Sequence, residues 1–91
     1  MSLKLTIPTA LRRITKDADV ADVEAGTVRE IIAHLDETYP GLRERLCESD
    51  DKLRRFINIY LDGEDIRFLD NLSTRVPDGA ELSIVLAIAG G

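Results

Sequence analysis

The feature that most constrains this fold is one strongly amphipathic helical segment in a chain otherwise patterned for strands. Its apolar residues recur at helical spacing on one stripe: Val28, Ile31, Ile32, Leu35 and Tyr39. Thr27, followed by Glu30 at the third position after it, predicts a capping box at the helix start, and Pro40-Gly41 predicts the helix end. One long helix covers only one face of a sheet. We therefore expect an α+β fold whose other sheet face is left to solvent or to a partner.

Strand patterns precede this helix. Strict alternation of apolar and polar residues from Leu3 onward predicts a first strand that ends at Pro8. The run 18–25, rich in Val and Ala, predicts a second strand. Its apolar positions change register between Val20 and Val23, so we expect a break or bulge there.

Further strand patterns follow the helix. A short helical turn is predicted over 42–48, with Leu42 and Leu46 facing inward. Alternation then predicts a strand over 55–61. Asp62-Gly63 predicts a tight hairpin turn because glycine tolerates positive φ, and residues 66–68 are expected to return as a short strand.

The end of the chain is predicted to form the last strand of the sheet. A connection over 69–76 is expected to be pinned to the core by Leu72 and Val76. A turn at 77–79 follows, and alternation predicts a strand over 81–88. The whole pattern predicts a mixed sheet of four or five strands with one main helix on one face.

Size and charge exclude several classes of function. The chain has 91 residues, enough for one domain, and 17 acidic against 12 basic residues give a net charge of −5. This charge disfavours nucleic acid or anionic lipid as the main partner. The longest apolar run, 84–89, is far shorter than the about 20 residues that a membrane span needs. We expect a cytoplasmic protein with no nucleic-acid or membrane partner.

Few residues are available for catalysis or for metal binding. The chain has one Cys (Cys47) and one His (His34), which rules out an intramolecular disulfide, a Cys/His zinc site or a redox Cys pair within one chain. We expect Cys47 to be a buried filler and His34 a helix-surface residue. The acidic run 62–65 lacks the spacing of a calcium loop. No catalytic residue, metal site or bound cofactor is therefore predicted.

The terminal pair Gly90-Gly91 follows the last predicted strand directly. A glycine tail is costly to order and gives no structural advantage, but without Cβ atoms it suits insertion into a narrow channel of another protein. The reactive group would be the α-carboxylate of Gly91, a poor acyl electrophile until it is joined to AMP. The chain has no P-loop, so a partner enzyme would have to supply ATP and Mg²⁺. The alternative is an ordinary frayed end.

Ala89 and Gly90 are predicted to thread into the partner's active site. A second predicted contact lies on the sheet face that the helix leaves open, where Phe56, Tyr60, Val85 and Ala87 are candidates for docking a partner. The basic pairs Arg12-Arg13 and Arg54-Arg55 are expected to be solvated, with docking of a partner as the alternative.

Taken together, these features resemble the MoaD/ThiS family of ubiquitin-like sulfur carriers. The resemblance covers essentially the whole chain, and its most specific parts are the helix, the segment 56–58, the turn 77–82 and the end Ala89-Gly90-Gly91. Segments 39–46, 55–60 and 64–68 are similar to the longer CysO-type carriers of cysteine biosynthesis. The resemblance implies a single ubiquitin-like β-grasp domain over 1–91 with a free C-terminal Gly-Gly tail.

The resemblance also implies a cycle of reactions on Gly91. An E1-like enzyme would adenylate its carboxylate, a sulfur donor or sulfurtransferase would convert it to a thiocarboxylate, and a sulfur-accepting enzyme would consume the sulfur. In the CysO-type branch the acceptor resembles a pyridoxal-phosphate-dependent cysteine synthase, and a zinc metalloprotease-like hydrolase frees the cysteine. The chain itself would be a substrate of these enzymes and not an enzyme.

Three questions stay open at this point. The sulfur could serve cysteine, thiamine, molybdopterin or a specialised thio-metabolite. The same tail would also suit a protein modifier conjugated to target lysines through Gly91. A third possibility is a β-grasp interaction domain with an inert end.

Overall fold

A computed structural model of the chain describes residues 2–49 and 52–86. Within these residues the chain forms two α-helices, α1 (Val28–Thr38) and α2 (Leu42–Leu46). In chain order the strands are β1 (Ser2–Thr6), β2 (Val20–Glu24), β3 (Gly26–Thr27), β4 (Cys47–Ser49), β5 (Lys52–Leu53), β6 (Ile57–Leu61), β7 (Glu64–Asp65), β8 (Arg75–Val76) and β9 (Glu81–Leu86). Short 3₁₀ helices span Thr9–Leu11, Ile66–Phe68 and Asn71–Ser73.

The main sheet has five strands in the order β2-β1-β9-β6-β7. Its centre is the parallel pair β1 and β9, in which Lys4 lies beside Glu81 and Thr6 beside Ser83. The other neighbours in this sheet are antiparallel. The predicted mixed sheet is confirmed, with five strands. Because parallel neighbours cannot be joined by a tight turn, the helices and β6 all lie in the long connection between the two central strands.

The predicted break in the second strand is wrong. Strand β2 pairs with β1 without interruption, from Ser2 opposite Glu24 to Thr6 opposite Val20. Ala21 and Val23 face the core, and Val20 is 43% exposed on the opposite side of the strand. The register was misjudged because Val20 is an apolar residue on the outward face of a regular strand.

The hairpin after β6 turns where it was predicted to turn. Asp62 has a φ of 50° and Gly63 a φ of 87°, the left-handed conformation that a two-residue hairpin loop requires. The chain does return as a short strand, β7, but at Glu64–Asp65; the predicted position of this strand at 66–68 is wrong, because a 3₁₀ helix follows over Ile66–Phe68. The Asp65 carboxylate caps this helix by accepting a 2.9 Å hydrogen bond from the backbone N–H of Arg67.

Helix α1 begins with the predicted capping box. The backbone N–H of Glu30 donates to Thr27 Oγ1 at 3.2 Å, and the backbone N–H of Thr27 donates to Glu30 Oε1 at 2.9 Å. These contacts hold the pKa of the Glu30 carboxyl below its ordinary value, with the backbone hydrogen bond as the largest cause. The predicted stripe is also confirmed, with Tyr39 partly buried and four fully buried residues: Val28, Ile31, Ile32 and Leu35.

Helix α2 confirms the short helical turn predicted after Gly41. The Asp36 carboxylate accepts hydrogen bonds of 3.1 Å from the backbone N–H groups of Gly41 and Arg43, which fixes the connection between the two helices. Leu42 and Leu46 are fully buried, as predicted. The chain then leaves the helix at Cys47 and enters the β4–β5 hairpin, which the sequence pattern did not indicate.

The core lies between α1 and one face of the main sheet. It includes Leu3 and Leu5 of β1, Ile57 and Ile59 of β6, and Leu82 and Ile84 of β9. The connection before β9 is pinned by buried Leu72 and Val76, as predicted. Gly79, with a φ of 80°, completes the predicted turn into β9. No helix in the described part of the chain is long and apolar enough to cross a membrane.

Loss of the helix cap should lower stability without changing the fold. Thr27→Ala removes the Oγ1 acceptor for the Glu30 N–H, and we expect it to lower the free energy of unfolding by about 1 kcal/mol at neutral pH. Thr38→Ala, at the exposed end of the same helix, is the matched control and should cost less than about 0.5 kcal/mol. Urea unfolding measures both. Equal losses in the two variants would contradict a stabilising role for the cap.

The charge of Glu30 should make part of the stability depend on pH. Its pKa is lower in the folded chain than in the unfolded chain, so the stabilisation is fully present above the unfolded pKa and is lost as pH falls through the folded pKa. Glu30→Gln should therefore be destabilising at pH 7 and should lose this effect as the pH falls below the lowered pKa of Glu30 in the folded chain. Urea unfolding of both proteins across this range tests it. A constant difference between them at every pH would contradict the prediction.

Candidate functional site

The predicted tail residues Ala89, Gly90 and Gly91 lie outside the described residues, as does Ala87 of the predicted docking face. The described part of the chain ends in β9 at Leu86, which pairs with Ile57, the first residue of β6. This pair marks one end of the main sheet, the end at which β1 finishes and β6 begins. Strand β9 has β1 beside it from Glu81 to Ser83, and from Leu82 to Leu86 it pairs with β6, so β6 is its paired neighbour where the described chain ends.

Two of the predicted docking residues share the sheet face opposite α1. Asn58 lies opposite Val85, and Tyr60 lies opposite Ser83. Val85 is 40% exposed and Tyr60 is half-buried, whereas their chain neighbours Ile59 and Ile84 are buried in the core. Tyr60 and Val85 thus occupy adjacent rows of the outward face of neighbouring strands, as predicted.

Val20 belongs to the same outward face and was missed by the sequence analysis. It pairs with Thr6, which in turn pairs with Ser83, so Val20 lies in the row that also holds Tyr60. In a regular strand, residues that alternate with the buried Ala21 and Val23 face outward, and this rule assigns Val20 to the outward face. Further along this face, toward the N-terminus of β1, an exposed ion pair joins Lys4 Nζ to Asp22 Oδ1 at 2.8 Å.

Phe56 lies in the turn immediately before β6 and is 44% exposed. The turn is held by Arg67, whose Nη2 donates to the carbonyl oxygens of Arg54 at 3.0 Å and of Ile57 at 2.7 Å. The other terminal nitrogen of Arg67 donates to Asn58 Oδ1. These contacts anchor the backbone on both sides of Phe56. No local pattern could have indicated them, because Arg67 reaches the turn from another element.

The basic pairs Arg12-Arg13 and Arg54-Arg55 have the same arrangement of side chains. In each pair the first arginine is bound to backbone: Arg12 donates to the Ile7 carbonyl oxygen at 3.3 Å, and Arg54 Nε donates to the Glu44 carbonyl oxygen at 2.8 Å. The second arginine of each pair, Arg13 or Arg55, is exposed. The prediction that the pairs are simply solvated therefore holds only for their second members.

Cys47 is buried, as expected for a filler residue, and desolvation by burial raises the pKa of its thiol. A raised pKa lowers the thiolate fraction, which makes this thiol a weak nucleophile. His34 is exposed on α1. Across residues 2–49 and 52–86 the structure contains no group of three or more His, Cys, Asp or Glu side chains that could hold a metal ion.

Comparison with known proteins gives a consistent family. The ThiS family matches residues 5–91. The sulfur carrier protein CysO of Mycobacterium tuberculosis is 39% identical over 93 aligned residues, covering 100% of both chains. The small archaeal modifier protein 3 of Haloferax volcanii is 32% identical over 65 residues, covering 71% of this chain and 70% of its own.

A solved structure gives the same result for the fold. A chain in the crystal structure of the BexX/CysO complex of Amycolatopsis orientalis superimposes with a TM-score of 0.90 at 38% identity, covering 98% of this chain and 99% of its own. The predicted ubiquitin-like β-grasp fold is thereby confirmed. The chain belongs to the ThiS family of ubiquitin-like sulfur carrier proteins.

Proposed function

We propose that this chain carries sulfur as a thiocarboxylate on Gly91 and delivers it to a biosynthetic enzyme. The observation that carries the proposal is the position of strand β9, which lies between β1 and β6 in the main sheet and stays paired with β6 as far as Leu86. In the sequence, the five residues after Leu86 end in Gly90-Gly91. The rigid sheet would act as the handle and the last residues as the reacting arm.

The chemistry needs two steps at the Gly91 carboxyl group. A carboxylate oxygen first attacks the α-phosphorus of ATP, which forms the acyl-adenylate and releases pyrophosphate. A sulfide equivalent from the donor then attacks the acyl carbon and expels AMP, which leaves the thiocarboxylate. An E1-like adenylating enzyme supplies ATP and Mg²⁺ for the first step. This chain supplies the carboxylate and holds it in the partner's active site.

Small residues at the end of the chain give the partner access to the reacting carbonyl. Fully extended, five residues span at most about 18 Å, which sets the depth of channel that Gly91 could reach from Leu86. Gly90 has no Cβ to meet the channel wall, and Ala89 has only a methyl group. A larger residue at position 90 would meet the wall beside the reacting centre.

The docking face would orient the handle against the partner. We assign this role to Phe56, Tyr60, Val85 and Ala87, and add Val20 from the same sheet face. Val20 and Tyr60 share one row of this face and Val85 lies in the next row, so these apolar side chains are grouped on one side of the sheet, as in a protein contact surface. The BexX/CysO complex supports the proposal, because in it a protein similar to this chain is bound to another protein.

Cysteine is the favoured product of the sulfur transfer, because CysO-type carriers serve cysteine biosynthesis. The CysO relative aligns with this chain over the full length of both proteins. The acceptor would then be a pyridoxal-phosphate-dependent cysteine synthase. In that reaction the thiocarboxylate sulfur would replace a leaving group on the β-carbon of an activated serine, which forms the carbon–sulfur bond of cysteine and leaves the cysteine joined to the Gly91 acyl group. A zinc metalloprotease-like hydrolase would then hydrolyse the bond between Gly91 and cysteine, which frees the cysteine and restores the carboxylate. Thiamine, molybdopterin or another thio-metabolite would use the same chain end.

A protein modifier is the second candidate function. The similarity to the small archaeal modifier protein 3 favours it. In this case a lysine amine of a target protein would attack the activated carbonyl of Gly91 in place of sulfide. The sulfur carrier is preferred because the full-length relatives carry that name at higher identity.

Sulfur loading should be visible as a change in mass. After incubation with the E1-like enzyme of the source organism, ATP, Mg²⁺ and a sulfide donor, the chain should gain the mass difference between sulfur and oxygen, located at Gly91 by fragmentation. A chain lacking Gly91 should give no product under the same conditions. Equal loading of the shortened chain would contradict the proposal, and Gly91 found only in isopeptide bonds to lysine would favour the modifier.

Gly90→Val should separate folding from activation. We expect its urea unfolding midpoint to match that of the unchanged chain, because Gly90 has no side chain and the core formed by residues 2–49 and 52–86 does not depend on it. Adenylation should fall by at least about tenfold, since a branched side chain would crowd the reacting centre. Pyrophosphate release measures the rate. Normal adenylation of this variant would contradict the need for clearance at position 90.

A further inference from the structure

A basic groove lies beside the turn that holds Phe56. It has a volume of about 560 Å³ and is lined by residues from the β4–β5 hairpin, the turn before β6 and the 3₁₀ helices Ile66–Phe68 and Asn71–Ser73. Its charged lining residues are Lys52, Arg55, Arg67 and Glu48, and its apolar ones are Leu53 and Leu72. Three cations and one carboxylate share this groove in a chain whose net charge is −5.

Among residues 2–49 and 52–86, acidic side chains compensate the positive charge of the basic groove only weakly. The Arg67 guanidinium donates to two backbone carbonyls and an amide oxygen, which are all neutral acceptors. Lys52 Nζ is 3.7 Å from Glu48 Oε2, and both side chains are largely exposed, so this pair is weak. Arg55 is exposed and makes no hydrogen bond or ion pair with any residue in the described ranges.

The basic groove adjoins both parts of the proposed partner contact. Arg67 holds the carbonyl of Ile57, and Ile57 pairs with Leu86, the last described residue before the tail. Arg55 directly precedes Phe56 of the docking face. The groove is therefore at the same end of the sheet as the start of the tail.

We propose that the basic groove receives an acidic segment, rich in Asp or Glu, of the enzyme that activates the tail. This inference rests on the proposed function. Arg55 is the main cation for binding carboxylates, and Lys52 can join it by exchanging its weak contact with Glu48, while Arg67 contributes its charge and keeps the turn in place. Leu53 and Leu72 offer an apolar surface to the aliphatic parts of the same segment.

The arrangement fits an acidic peptide better than a small phosphate compound. A phosphate site needs several donors that converge on one point, whereas Lys52 and Arg55 lie on separate elements and the Nη atoms of Arg67 already donate to protein oxygens. Separate cations along an open groove match the spaced carboxylates of a peptide. Attraction at this end of the sheet would also orient the incoming tail toward the partner's channel.

Reversing the charge of Arg55 tests the proposal. With the E1-like enzyme at about 50 mM salt, Arg55→Glu should lower kcat/KM for adenylation by at least about tenfold. The matched control is Arg75→Glu, which makes the same charge change at an exposed residue of β8 beside Thr27, away from Leu86. It should change kcat/KM by less than about twofold. Arg55→Lys should keep most of the activity, because it keeps the charge.

Salt dependence, binding affinity and folding of the variants are measured as well, to show that any loss in rate comes from the charge contact. The loss in Arg55→Glu should shrink as salt rises to about 500 mM, since salt screens an exposed charge contact. Calorimetric binding of the same enzyme should weaken in parallel, and urea unfolding should show that each variant is folded. If the unchanged chain is adenylated and Arg55→Glu matches Arg75→Glu in rate and binding, the groove proposal is wrong.

Two other results are also informative. If the unchanged chain binds the enzyme but is never adenylated, the proposed function fails, and the binding data alone decide the role of the groove. If Arg55→Glu abolishes binding of inorganic phosphate in calorimetry but leaves enzyme binding unchanged, the groove is a phosphate site and the docking proposal is overturned.

Discussion

The parallel pairing of β1 with β9 is the interaction on which the rest of the structure depends. It joins the first and last described strands at the centre of the sheet and leaves α1, α2 and β6 to be arranged around them. A strand with neighbours on both sides is among the last parts of a fold to open. The segment Glu81–Ser83 of β9 is therefore well held, and in the proposed function it is the fixed base from which the tail would reach the partner.

The two faces of this sheet differ in burial: one is covered by α1 and the other is exposed. The inner face is filled by α1 and accounts for the apolar core, which gives the fold its stability. The outer face carries isolated exposed apolar residues, Val20 and Val85, and the partly buried Tyr60. The core does not depend on these residues, so the proposed docking role of this face would be compatible with the stability of the fold.

Much of the architecture could be predicted because it depends on local rules. The capping box of Thr27 and Glu30 and the hairpin at Asp62-Gly63 are each encoded within a few neighbouring residues. The errors have equally definite causes. Val20 is an apolar residue on an outward face, so hydrophobicity alone misplaced it, and residues 66–68 left the strand because the Asp65 side chain caps a 3₁₀ helix.

The site was less predictable from sequence than the fold. Exposed positions such as Tyr60 and Val85 follow from strand alternation once the buried face is known. The basic groove does not, because Lys52, Arg55 and Arg67 come from three elements and meet only in the folded chain. The hydrogen bonds from Arg67 to the turn before β6 likewise depend on tertiary structure.

The most direct measurement of the central claim is the chemical state of Gly91 in the chain isolated from its own cells. Brief treatment of the folded protein with iodoacetamide should alkylate a C-terminal thiocarboxylate, while buried Cys47 reacts slowly. Mass spectrometry should then find the alkyl group on the sulfur of Gly91. Finding only an unmodified carboxylate there, under conditions in which the cells require sulfur transfer, would contradict the account.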